Sequence, residues 1–298
     1  MKEETKQGWL FVSPWVTGFV LLTAGPMLYS LYLSFTAASL LSPPQWIGLE
    51  NYRRMFDDPI FYRSLGNTAY YALLGVPLGM ILSLGLALLL DAPVRGQHIF
   101  RTLFFLPSVT NTVALSILWL WLLNPEFGLL NTALSAIGIE GPLWLQSEAW
   151  AKPALVLMSL WTVGGQVIIC LAALQGVPQE LTEAAAIDGA GPVRRFFAIT
   201  LPMISPALLF NFIMGLVGTL QVFTQAFVMT GGVQPGSEGG PNQSTLFIVL
   251  YIYKKAFQEY EMGYASALAW ALFVIITLCT WLAWKVSHSR VHYEGGGT

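Results

Sequence analysis

Residues 178–202, PQELTEAAAIDGAGPVRRFFAITLP, form a polar island between two long apolar segments. Its side chains are spaced for contact rather than catalysis. Leu181, Ala184, Ala185 and Asp188 share one helical face at three- and four-residue intervals, and alanine on such a face lets the backbone of another protein approach closely. A helix lying on the lipid surface is the plainer reading. The weakly segregated apolar face and the acidic Glu180 and Glu183 count against it. The other groups that could do chemistry are amides and hydroxyls inside apolar stretches: Asn111, Gln166, Asn211, Gln221, Thr224 and Gln225. Catalytic patterns are missing. No Gly-Lys dipeptide occurs, so there is no phosphate-cradling loop, and neither HExxH, GxSxG nor a plausible metal-ligand cluster is present.

The island needs two short helices and a turn. Pro178 suits a first helical position, where its missing N–H costs nothing, and Glu180 and Glu183 then sit near the positive end of the helix dipole. Gly189 after Asp188 supplies a stop, because glycine takes the left-handed conformation that commonly ends a helix. Pro192 can start the second helix, and Pro202 falls where the next apolar span begins. An angled helical protrusion is expected.

Glu183-Ala184-Ala185, three residues, Gly189, nine residues, Ile199, one residue and Leu201-Pro202 resembles the EAA loop of the membrane subunits of bacterial ABC importers. Asp188-Gly189-Ala190, and Gly263-Tyr264-Ala265-Ser266-Ala267 near the last span, are similar to the carbohydrate-uptake branch (maltose or multiple-sugar type). The resemblance implies a type I importer permease fold in the bacterial inner membrane, with the EAA loop and both termini cytoplasmic. It implies as partners a second permease subunit, two ATPase subunits and an external solute-binding protein. ATP and Mg would be bound by the ATPases, not by this chain, which needs no cofactor or metal of its own. Glu183, Ala184, Ala185, Asp188, Gly189, Ala190, Ile199, Leu201 and Pro202 would then couple the chain to the ATPase.

Composition sets the frame for these readings. Hydrophobic residues make up 55% of 298 and charged residues 10%, far below the roughly one-quarter usual in soluble domains, so the chain reads as an all-α membrane protein in one integral-membrane domain, 1–298. Six stretches approach the roughly 20 apolar residues that cross a bilayer: 9–35, 67–90, 104–123, 153–174, 203–229 and 264–284. The first is too long for a signal-peptide core and is expected to stay as a transmembrane helix. A net charge of −2 gives no reason to expect nucleic acid. Cys170 and Cys279 fall in apolar spans and read as packing residues.

Six spans put both termini and the island on one side. That side carries Lys2, Lys6, Arg95, Arg101, Arg194, Arg195, Lys285 and Arg290, eight cations against six, which favours the cytoplasm. A short helix is expected at 51–56, a glycine-rich surface loop at 231–243, and interfacial positions for Trp144 and Trp150.

The six spans contain no Asp, Glu, Lys, Arg or His, which argues against a proton-driven carrier. On the fifth, Asn211, Gly215, Gly218, Gln221, Val222 and Gln225 follow helical spacing. Such a face can pack helices through glycine and amide contacts, or line a path that pairs with the hydroxyls of a neutral sugar. Trp119, Trp121 and Trp161 could stack on a sugar ring or anchor span ends. The function expected is transport of a neutral sugar or oligosaccharide. The alternatives are a glycerol-phosphate permease subunit, which would need cations on the path, a secondary carrier or a membrane scaffold.

Overall fold

The computed structural model describes residues 2–39, 42–92, 95–231 and 239–288. Arg290, His292 and the 232–238 part of the glycine-rich loop lie outside the described residues. In chain order the helices are α1 (Lys2–Phe19), α2 (Gly25–Ser34), α3 (Glu50–Phe56), α4 (Pro59–Asp91), α5 (Gln97–Phe105), α6 (Thr112–Leu122), α7 (Leu129–Ala136) and α8 (Glu148–Trp161). There follow α9 (Gly164–Gln175), α10 (Gln179–Ile187), α11 (Pro192–Arg195), α12 (Leu201–Met203), α13 (Ser205–Leu220), α14 (Thr224–Gly231), α15 (Ile248–Tyr253) and α16 (Met262–His288). Among the described residues β-pairing is limited to two isolated bridges, Thr36 with Trp46 and Ser39 with Ser42.

Three helical stretches are long and apolar enough to span a membrane as single rods: Gln7–Ser34, Pro59–Asp91 and Met262–Ser287. Three more pass only as bent pairs, Gln97–Val109 with Thr112–Leu122 at 99°, Glu148–Trp161 with Gly164–Gln175 at 48°, and Pro192–Met203 with Ser205–Leu220 at 66°. The expected six spans are therefore met by length and apolarity, but three are not straight. The fifth differs most from expectation. It stops at Leu220, not 229, and residues 221–223 leave the helix before α14 begins.

Prolines shape two of these stretches, one straight and one bent. The helix widens into a five-residue π turn at Val20–Ala24, with Gly25 N–H on Val20 O, and again at Phe196–Thr200, with Leu201 N–H on Phe196 O. Each wide turn ends two residues before a proline, Pro26 or Pro202. Proline cannot donate to the carbonyl four residues back and its ring crowds that carbonyl, so the preceding turn opens.

Contacts group the residues into two compact units. In the first, residues 1–62 with 251–275, Asp58 accepts hydrogen bonds from the hydroxyls of Tyr251 and Tyr264 and from the N–H of Ile60. Burial alone would raise its pKa. The two tyrosines, with the N–H groups of Ile60 and Phe61, outweigh that and hold the carboxyl below its ordinary value. Arg54 donates to both carboxylate oxygens of Glu261 at 3.1 and 2.9 Å and lies 4.3 Å above the Tyr264 ring. Asn51 donates to Ser34 O and Thr36 O, each at 2.9 Å, and Gly263 N–H bonds to Ala38 O at 3.0 Å. Gly263 and Tyr264 of the sequence motif thus hold this unit together.

In the second unit, residues 63–250 with 276–298, Ala87 and Leu90 of α4, Val167, Cys170, Leu171 and Leu174 of α9, and Ile204 form a buried core cluster. Gly164 is pressed so closely on α5 that a Cβ there would stand 2.4 Å from Phe104 O. Asn67 donates to Gln243 O (2.8 Å) and Leu246 O (3.2 Å), and Thr68 accepts from Ile248 N–H, which binds the segment after the glycine-rich loop to α4. Trp144, expected at the interface, is instead buried in the protein. Its indole N–H bonds to Asn131 Oδ1 at 2.7 Å and its ring meets Trp150 edge to face, because the 125–146 loop folds back on itself.

Candidate coupling surface and path

The island folds as two helices about a turn. Pro178 sits one position earlier than expected, at the N-cap of α10, since its own ψ of 126° is extended. At the other end Asp188 is the C-cap and Gly189 has a φ of +80°. Gly189 N–H bonds to Ala186 O at 3.1 Å and Ala190 N–H to Ala185 O at 2.8 Å, the paired bonds of a Schellman stop. Arg195 donates from Nη1 to Thr182 O at 3.4 Å, tying the second helix back to the first.

Nothing within 179–203 is buried. Glu183, Ala184, Asp188 and Gly189 are exposed, while Ala185, Ala190, Ile199, Leu201 and Pro202 are half-buried. Ile187, Val193 and Phe197 carry no motif in the sequence, yet these large apolar side chains stand 87%, 68% and 62% exposed. Gly191, Pro192, Val193, Arg194, Phe197 and Ala198 line an open concavity of about 640 Å³. Apolar side chains at a polar surface want a protein partner. At the far end Leu201 packs on the core cluster, of which Ile204 is a buried member, so the protrusion is joined mechanically to α4 and α9.

The amides expected on a path separate into different roles. Asn211 is 1% exposed and donates to Gln166 O (3.2 Å) and Cys170 Sγ (3.3 Å), which places it in the α9–α13 packing contact. Asn111 caps α6, its Oδ1 accepting from Val113 and Ala114 N–H just after the 99° bend. Gln221 is the exposed C-cap of α13, and Thr224 and Gln225 belong to α14, so the helical spacing read through 221–225 is broken.

Gln166 has a different setting. A Cβ on Gly79 would stand 3.5 Å from its Oε1, and one on Gly215 would stand 3.5 Å from its Nε2, so the amide lies between glycines of α4 and α13. The Oε1 atom is shut off from solvent and has no hydrogen-bond partner among the described residues. One turn away Gly75 faces Thr219 and the hydroxyl of Ser159. This contact zone is built from glycine, amide and hydroxyl, with helix breaks at 162–163 and 110–111 on adjoining elements. Trp119 is buried, its indole N–H has no hydrogen-bond partner among the described residues, and its ring meets the exposed Trp161 edge to face at 6.3 Å.

Residues 75–288, from the Gly75 shelf through the coupling loop to α16, match the family described as binding-protein-dependent transport system inner membrane component. The chain belongs to this family. Similar proteins include the probable ABC transporter permease protein YesP of Bacillus subtilis strain 168, 40% identical over 99% of the permease and 94% of YesP. The sulfoquinovosyl glycerol transport system permease protein SmoG of Agrobacterium fabrum is 36% identical over 89% of the permease and 85% of its own length. A solved bacterial alginate ABC transporter, in complex with an alginate pentasaccharide-bound periplasmic protein, contains a chain that superposes with a TM-score of 0.83. At 24% identity, with 96% of each chain covered, that likeness establishes a shared fold. The permease is thus a multi-pass inner-membrane transport component of the ABC type, with the importer permease fold.

Proposed function

We propose that the permease forms, with a second permease subunit, the translocation path for a sugar or oligosaccharide delivered by an external solute-binding protein. Two ATPase subunits bind ATP and Mg and dock on residues 178–202, so hydrolysis takes place off this chain, and the termini lie with the loop on the cytoplasmic side. The observation that carries this reading is the exposed, Schellman-stopped α10 joined through Leu201 and Ile204 to the core. Glu183 and Asp188 offer the ATPase charge, Ala184 and Ala185 close approach, and Ile187, Val193 and Phe197 apolar area. Movement of the docked helix is passed to α4 and α9, biasing two conformations open to opposite sides.

The test is co-purification of the permease from its native membrane. A second permease and an ATPase should come down with it, and Glu183→Lys should lower the recovered ATPase by about fivefold, the effect of roughly 1 kcal/mol lost at a contact charge. A permease that purifies alone would sink the importer reading and favour a self-sufficient carrier.

Gln166 is the side chain we assign to cargo hydroxyls, on the strength of its unpartnered carbonyl between two glycines. Its neutral surroundings favour a neutral sugar, and an anionic cargo would draw its cation from elsewhere in the path. Gln166→Leu should raise the KM for uptake by about tenfold with assembly intact, the usual size of one lost polar contact. An unchanged KM would return Gln166 to helix packing.

A further inference from the structure

A cationic site of another kind lies where α4 ends. Arg101 of α5 donates from Nη2 to Leu90 O at 3.3 Å, a carbonyl that Gln97 Nε2 also reaches. Capping the carboxyl end of α4 explains that bond, since cations suit the negative end of a helix dipole. It does not explain the rest of the guanidinium. Nε of Arg101 is shut off from solvent without an acceptor, and no carboxylate pairs with Arg101 among the described residues.

This group borders a cavity of about 240 Å³ whose other walls include Leu90, Phe104, Phe105, Ile168, Leu171 and, as the last residue of α9, Gln175. A desolvated N–H on an unpaired cation calls for an anion. Leucine, phenylalanine and isoleucine walls call for hydrocarbon. Both requirements meet at the ends of α4 and α9, where apolar spans give way to polar loops and where lipid headgroups sit. Arg95, exposed in the adjoining loop, adds positive charge.

We propose that this cavity is a site for one anionic phospholipid, its phosphate on Arg101 and an acyl chain along Phe104, Ile168 and Leu171. The site does not depend on the cargo or on docking of the ATPase. Bound there, the lipid would neutralise the cation and brace α5 against α9, the pair that also meets at Gly164.

The experiment is native mass spectrometry and thermal unfolding of the purified transporter with phosphatidylglycerol, against phosphatidylcholine and against inorganic phosphate. Phosphatidylglycerol should be retained at least about fivefold more than phosphatidylcholine, the discrimination expected of one interfacial cation, and should raise the unfolding temperature. Arg101→Gln should abolish both effects. Ile168→Trp, which fills the cavity and leaves Arg101 and its cap bond in place, should abolish retention as well and guards against a misfolded Arg101 variant. Lys285→Gln, removing another cation near a span end, should change neither. Equal retention of the two lipids, or retention unmoved by both cavity variants, overturns the proposal. So does stabilisation by inorganic phosphate that matches the lipid, since the ligand would then be a free anion.

Discussion

Gly263→Val is expected to unfold the contact between the start of α16 and residues 34–38, and to prevent recovery of monodisperse protein. A Cβ at Gly263 would stand 2.0 Å from Thr36 O, where no relaxation of a flexible side chain can help because the obstacle is backbone. That backbone is pinned twice, by the Asn51 amide on Thr36 O and by Gly263 N–H on Ala38 O. To admit the new atoms the chain must give up these bonds. Overpacking costs roughly 1–3 kcal/mol and an orphaned buried polar group a similar amount, so a loss of about 4 kcal/mol is the expected scale. Gly263→Ala should already lower the unfolding temperature of the purified protein. A valine variant that purifies and melts like the parent would contradict the packing described.

Gly189→Val is expected to cut transport by more than tenfold while leaving the spans folded. Here the space is open: among the described residues, chain neighbours aside, no atom lies within 4 Å of an added Cβ, and the penalty comes from φ alone. A side chain in the left-handed region costs about 1–2 kcal/mol, and a β-branched one more. The Schellman bonds at the end of α10 would be lost first, and with them the angle between the docking helix and α11. Asparagine tolerates positive φ, so Gly189→Asn should restore most of the uptake. Uptake and unfolding temperature measured on the same preparations separate the two effects. Normal uptake by the valine variant would remove the protrusion from the coupling mechanism.

Local rules carried far in this sequence. The stop at Gly189 and the helix starting at Pro192 were readable because they depend on the conformations of one or two residues. The span count was readable because hydropathy averages over about 20 residues. The same averaging conceals where a span breaks: at Thr110 and Asn111, at Thr162, at Ile204 and at 221–223 the composition stays apolar while the backbone turns. Asn111 looked like a path residue, and its Oδ1 also caps α6; Gln221 and Gln225 looked like one face when a break separates them. The Asp58 network was hidden for a different reason. Its tyrosines lie 193 and 206 residues away along the chain, and no local pattern joins them.

The π turn at Phe196–Thr200 contains one residue more than the α-turn it replaces. One residue is about 100° of helical rotation, so side chains before and after the turn are out of phase by that amount with an unbroken α-helix. The nine-residue interval between Gly189 and Ile199 runs into this wide turn, which works as a torsional setting. It fixes the azimuth at which α10 is presented relative to the Leu201–Ile204 attachment, and losing one residue anywhere in the wide turn would point the same docking surface about a quarter-turn away.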